Sequence, residues 1–252
     1  MLLTVDVGNS TIAAAVFNGG AIVFRSRVAT PRAWRPRHFS ALLPASQARR
    51  VTAAIVSSVV PRLDRPLGAA IRRACGLRPV FLGPRTPTGM PLKIPRAVEL
   101  GADRIADCLG ALALFPPPLV VIDSGTAITI DLVNAGGEYC GGCILPGIGI
   151  AIDGLAEKTA KLKRIRFVIP ASALATNTAD GIRAGVFYGT IGALQHLLSL
   201  YREMLGRRTT VVATGGLARM FQGRISAIDA FEPDLLFQGL RRIHEGLQRG
   251  DA

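Results

Sequence analysis

Val5-Asp6-Val7-Gly8-Asn9 and Ile122-Asp123-Ser124-Gly125-Thr126 carry the same device, an aspartate and a glycine that close one apolar, β-rich run just before another begins. Around the first copy, residues 2–7 and 11–17 read as strands, and Asn18-Gly19-Gly20 turns the chain into a third over 21–27. That is the pattern of a three-strand meander. Around the second copy, residues 119–123, 127–133 and 139–145 read the same way, the last two separated by Asn134-Ala135-Gly136-Gly137. Two such openings in one chain indicate an internal duplication.

The rest of the chain alternates helix and strand. A strand is expected over 52–57, a helix over 61–75 opened by Pro61, a short strand over 80–82, and a helix over 102–114 halted by Pro116-Pro117-Pro118. The proline run is the expected domain boundary, giving domains 1–116 and 117–252. In the second half a long helix is expected over 179–204, a strand over 210–214 and a closing helix over 235–248. The fold class is therefore α/β, with two related halves. Such halves would set Asp6 and Asp123 facing each other across an interdomain cleft suited to a nucleotide.

Composition narrows the function classes. Of 252 residues, 49% are hydrophobic and 19% charged, the balance of a globular rather than a disordered chain. The start lacks a basic region followed by a long apolar stretch, and no run approaches the roughly 18 to 20 apolar residues of a membrane span, so a cytoplasmic protein is expected. The net charge of +13 raises nucleic acid as a partner. However, only Lys93, Lys158, Lys161 and Lys163 are lysines, and Ala, Gly and Pro are plentiful, so the charge reads as partly compositional. The basic crowding between Arg25 and Arg50 has no interleaved aromatics and no helix-turn-helix signature, which disfavours specific nucleic-acid binding. Cys140 and Cys143 form a C-x-x-C pair around Gly141-Gly142 in a strand-like stretch, and Cys75 and Cys108 lie in helix-like segments without a His neighbour. Buried thiols are expected, not a metal or redox centre.

A polyphosphate needs close-approaching backbone N–H groups, small neighbours and a carboxylate for its divalent cation. Asp6-Val7-Gly8-Asn9-Ser10-Thr11 supplies all three, although a plain Asx-type hairpin would use the same residues. Asp123-Ser124-Gly125-Thr126-Ala127 repeats the provision, with Thr126 able to bond phosphate and Asp123 able to hold a cation. Thr214-Gly215-Gly216 follows a strand and offers further N–H groups, or simply a tight turn. Gly101-Ala102-Asp103-Arg104 opens a helix, where Asp103 suits a general base and Arg104 an anion fork. Asp103 would equally complement the helix dipole.

Taken in order, DVGNST at Asp6, GADR at Gly101, DSGTA at Asp123, GGCILPG at Gly141, NTADGIRAGVFYG at Asn177 and ATGG at Ala213 resemble the type III pantothenate kinases and their sister Baf accessory factors. The resemblance spans nearly the whole chain. It implies two duplicated ribonuclease-H-like domains of the actin-like ATPase kind and ATP-dependent phosphorylation of pantothenate to 4'-phosphopantothenate, the first step of coenzyme A synthesis. It also implies a homodimer with composite sites. By the same resemblance Asp6, Val7, Gly8, Asn9, Ser10, Thr11, Ile12 and Ala13 line the ATP phosphates, with Asp6 near Mg2+, and Thr126 contacts ATP. Asp103 is the proton acceptor; Gly101, Ala102, Asp103 and Arg104 hold pantothenate; Thr178 reaches it from the partner subunit; and Asp123 binds a monovalent cation, K+ or NH4+. Upstream of GADR the family usually carries a tyrosine and then Asn-Pro, where this chain has Ile94 and Ala97, and Lys163 stands where a proline is common. The alternatives are a kinase of the same superfamily acting on another small alcohol or acid, and a catalytically idle Baf-like regulator.

Overall fold

The computed structural model describes residues 1–83, 85–159 and 162–250, and the chain divides into two compact units. The first unit runs from Met1 to Leu114 and takes back the C-terminal segment from Asp234; the second spans Phe115–Pro233.

In the first unit, β1 (Leu2–Val7), β2 (Thr11–Asn18) and β3 (Ala21–Ala29) form the expected antiparallel meander. Helices α1 (Pro36–Leu42) and α2 (Ala45–Ala48) lead to β4 (Ala53–Ser58), α3 (Pro61–Cys75), β5 (Val80–Phe81) and α4 (Ala102–Leu114). β4 and β5 add in parallel, so the sheet order is β3-β2-β1-β4-β5. In the second unit, β6 (Leu119–Ser124), β7 (Ala127–Val133) and β8 (Tyr139–Pro146) form a second meander. Helices α5 (Ile148–Lys158) and α6 (Thr178–Leu205), then β9 (Thr210–Thr214) and β10 (Ala230–Phe231), complete the unit, in sheet order β10-β9-β6-β7-β8. Read from its other edge this is the order of the first sheet, with β9 parallel to β6 as β4 is to β1. The duplication expected from the two Asp-Gly turns is present in the strand order.

Both faces of the first sheet's central strands are covered, which is why those strands are largely apolar. Leu3, Val5, Val7 and Val56 pack on Phe39 of α1 and Leu63, Leu67 and Ile71 of α3. The opposite face presents Ala13, Ala15 and Phe17 to Phe237 of the last helix, α7 (Leu235–Arg249). α3 is bounded as its sequence requires: Pro61 at its start, Asp64 in the first turn, Arg72 and Arg73 in the last, and Gly76 at φ 72° as the left-handed cap.

The sequence division at 116/117 is corrected at one place. Helix α7, assigned by sequence to the second half, belongs to the first unit, where Leu235, Phe237, Leu240 and Ile243 are buried. An amphipathic period shows that a helix has a buried face but not which sheet it covers. Two ties secure it: Arg25 on β3 grips Asp234 through two bonds of 2.8 and 2.6 Å, and α7 lies backbone to backbone on α4. A Cβ on Gly239 would overlap the Ala106 carbonyl, and one on Gly110 would overlap that of Leu235.

Gly239→Ala forces those two helices apart, so it should destabilise the protein by about 1–3 kcal/mol. The check is the urea-unfolding midpoint. A native midpoint would show that the contact gives way freely.

Candidate active site

The first cluster grows from the turn between β1 and β2. Gly8 N–H donates to Thr11 O at 3.0 Å, closing a short loop in which Asn9, Ser10 and Thr11 are exposed. The loop's Gly8 and Ser10 carbonyls accept bonds from Thr30, the first from its Oγ1 at 2.7 Å and the second from its N–H at 3.0 Å. Carbonyls engaged in this way are less able to repel an anion approaching the loop. Val7 and Ile12 are wholly buried in the core, and Ala13 is 5% exposed among the residues facing α7. Neither Val7 nor Ile12 presents exposed surface in this structure. Asp6, half-buried at the end of β1, pairs with Ala13 on one side and with Ser57 on the other.

The start of α4 lies beside this strand end. An ideal Cβ on Gly101 would sit 3.8 Å from Val59 Cγ1, and Val59 N–H donates to Val7 O at 3.0 Å. Asp103 is half-buried in the first turn, and its Oδ1 accepts the Arg104 N–H at 2.9 Å. That bond fixes the carboxylate rotamer. A Cβ on Gly101 would overlap Asp103 Oδ1, so the glycine of the GADR motif leaves room for the carboxylate. Ala102 is buried and Arg104 half-buried. Next to Arg104, Ile105 forms part of the wall of a cavity of about 400 Å³ that is also lined by Thr86, Thr88, Met90 and Leu92. Thus one unit brings together the ends of β1 and β4, the phosphate-type loop and the start of α4.

In the second unit Asp123, half-buried, pairs with Thr214 across the parallel β6/β9 ladder. The turn after β9 wraps around it. Gly215 has φ +92°, a Cβ there would overlap both Asp123 Oδ1 and the Ser124 carbonyl, and Leu217 N–H donates to Ser124 O at 3.0 Å. Gly215 of the ATGG motif is therefore required by the space around Asp123. Thr126 is exposed in the β6–β7 turn, which Gly125 N–H closes on Ala127 O at 2.9 Å.

Sequence reasoning missed α5, whose N-cap Gly147 presses on that turn: a Cβ would overlap the Thr126 carbonyl. Pro146-Gly147 followed by buried Ile148 and Ile152 was the available signal. Thr178, exposed, is the first residue of α6. The helix start is fixed around it, because Asn177 Oδ1 accepts Asp180 N–H at 3.0 Å and Arg183 bonds Asp180 Oδ1 at 2.8 Å. The Asn177 amide first, and Arg183 next, hold the Asp180 carboxyl below its ordinary range.

The groups at both strand ends offer oxygens, which suits hard cations: the Asp6 carboxylate for a divalent ion, Asp123 with the Ser124 carbonyl for a monovalent one. Among the described residues no group of three or more His, Cys, Asp or Glu could hold a metal. Of the cysteines, Cys108 is buried as expected, whereas Cys140 is exposed. The ladder explains this: Leu132 pairs with Gly141 and Val133 with Tyr139, so Cys140 sits in the irregularity between them.

A sequence profile of the type III pantothenate kinase family matches residues 2–199. A type III pantothenate kinase of Moorella thermoacetica is 36% identical over 251 residues, covering 97% of this chain and 99% of the relative. One from Geobacter sulfurreducens is 35% identical, covering 97% and 98%. Among solved structures, a protein of Campylobacter jejuni described as a Baf family transcriptional activator superposes with a TM-score of 0.64 at 19% identity, covering 98% of this chain and 99% of that one. At that identity the likeness is one of fold.

Replacing Gly215 by alanine imposes both a positive φ and a collision with Asp123. The expected cost is about 1–3 kcal/mol, read as a lowered urea midpoint, and an unchanged midpoint would mean that the turn relaxes without resistance.

Proposed function

The chain belongs to the type III pantothenate kinase family, and we propose that it transfers the γ-phosphoryl group of ATP to the 4'-hydroxyl of pantothenate, opening coenzyme A synthesis. The observation that carries the residue assignment is the placement of Asp103. Its carboxylate is held by the Arg104 N–H, given room by Gly101, and set where α4 meets the ends of β1 and β4.

In this reading Asp103 takes the proton of the acceptor hydroxyl as the O–P bond forms. Oδ1 is engaged by its own helix, so Oδ2 is the accepting atom. Arg104 and the Gly101-Ala102 backbone hold pantothenate, Arg104 pairing with its carboxylate. The loop from Asp6 to Ala13 takes the ATP phosphates: Gly8, Asn9, Ser10 and Thr11 act from the turn, and the buried Val7 and Ile12 and the nearly buried Ala13 support it from behind. Asp6 holds Mg2+, which when bound neutralises charge on the phosphates. In the second unit Thr126 contacts ATP and Asp123 holds K+ or NH4+.

The enzyme works as a homodimer, with the partner subunit's Thr178 reaching the acceptor. Support comes from α6, where Gly181, Gly185, Gly189 and Gly192 are exposed and an added Cβ on any of them meets nothing within 4 Å. Ile144, 63% exposed, adds apolar surface in the same unit. A cytoplasmic location is part of the proposal; no helix among the described residues is long and apolar enough to cross a membrane.

A coupled ADP-release assay with Mg2+ and K+ should show turnover that depends on pantothenate. Release driven instead by another small alcohol would make this a repurposed kinase in which half-buried Ile94 and Ala97 reshape the acceptor wall. Asp103→Asn should lose about 10²- to 10⁴-fold in kcat while calorimetry shows native ATP binding, and near-native turnover would reject Asp103 as the base. Exchanging K+ for Na+ should slow the native enzyme far more than Asp123→Ala. Equal responses would remove the cation from Asp123.

A further inference from the structure

Ser57 and Ser58 are neighbours at the end of β4 in opposite circumstances. The Ser58 hydroxyl donates to Asp64 Oδ1 at 2.5 Å and accepts the Val60 N–H at 3.2 Å, so it ties β4 to α3. The Ser57 hydroxyl is fully buried and meets no hydrogen-bond partner among the described residues. A buried, unpaired hydroxyl is costly and uncommon in native proteins. Alanine would fill the position without that cost, as it does at Ala53 and Ala54 of the same strand.

The location of Ser57 supplies a reason for the hydroxyl. Ser57 is the ladder partner of Asp6, and side chains paired across a parallel ladder project to the same face. Val5, Val7 and Val56 point to α1 and α3, so Asp6 and Ser57 project to the opposite face, toward the layer of α4 and α7. The duplicated second unit retains the arrangement. Asp123 pairs with Thr214, another buried hydroxyl residue, at the corresponding position of the duplicated sheet.

We propose that Ser57 is a positioning residue for Asp6: its hydroxyl donates a hydrogen bond to the Asp6 carboxylate when that carboxylate holds the nucleotide's divalent cation. The inference rests on the assignment of Asp6 given above. The bond fixes the carboxylate rotamer and keeps its lone pairs directed at the cation, as the outer partners of metal ligands do. Ser58 cannot serve, because its proton is already committed to Asp64.

The test is Mn2+ binding followed by electron paramagnetic resonance, in the presence of a non-hydrolysable ATP analogue, with thermal unfolding measured in parallel. Ser57→Ala should weaken Mn2+ binding roughly 10-fold with a native or higher melting temperature, and Ser57→Thr, which keeps the hydroxyl, should retain native affinity. Ser58→Ala should show the reverse: a lower melting temperature and native Mn2+ affinity. Native affinity in Ser57→Ala, loss of affinity in Ser57→Thr, or a weakened affinity in Ser57→Ala that comes with a lowered melting temperature would each overturn the proposal. Asp6→Asn is the control, and native Mn2+ binding in it would overturn the Asp6 assignment and the Ser57 role together. The measurement needs no acceptor, so failure to phosphorylate pantothenate would strike the kinase reading alone.

Discussion

Two parallel ladders, β1 with β4 and β6 with β9, set Asp6 beside Ser57 and Asp123 beside Thr214 at corresponding positions. A carboxylate at a strand end is only as well placed as the backbone that carries it, and here the backbone is held by central strands packed among largely apolar, buried neighbours. Everything chemical is hung from those positions. The β1–β2 turn follows two residues after Asp6, the ATGG turn folds back over Asp123, and α4 begins where Val59 leaves β4. Shifting either ladder by one residue would send the carboxylate to the opposite face.

The second constraint is close approach. Gly101 leaves space for Asp103, Gly215 for Asp123, Gly147 for the Thr126 turn and Gly239 for the backbone of α4. Each of these positions would carry a steric collision with any larger residue. Close packing of this kind limits how far a carboxylate can drift from its working geometry. Phosphoryl transfer depends chiefly on such positioning and on electrostatic stabilisation.

Much of this was legible in the sequence because the strands are both apolar and punctuated. Asn18-Gly19-Gly20 and Asn134 to Gly137 mark hairpins, Pro61 opens α3, and the Asp-Gly pairs mark the strand ends. What escaped notice lacked such signals. α1 and α2 are short and lie among arginines, α5 begins at a glycine without a side-chain cap, and β10 has only two residues. The partner of α7 depended on Gly110 and Gly239 meeting opposite backbones, a tertiary match that periodicity does not encode. At the site, the Asp6, Gly101 and Asp123 motifs were visible as strings. The unpaired hydroxyl of Ser57 was not, because burial and lack of a partner are properties of the fold.

The proposed transfer makes one covalent change, an ester between phosphate and the primary hydroxyl of pantothenate, with a proton passing to Asp103 and ADP leaving. Phosphorus-31 NMR of a reaction containing the native protein, ATP, Mg2+, K+ and pantothenate reads that bond directly. The account predicts a new phosphomonoester resonance coupled to two methylene protons of the pantoyl group, growing in step with ADP. Inorganic phosphate as the sole new signal, or ATP that persists unchanged with pantothenate present, would contradict it.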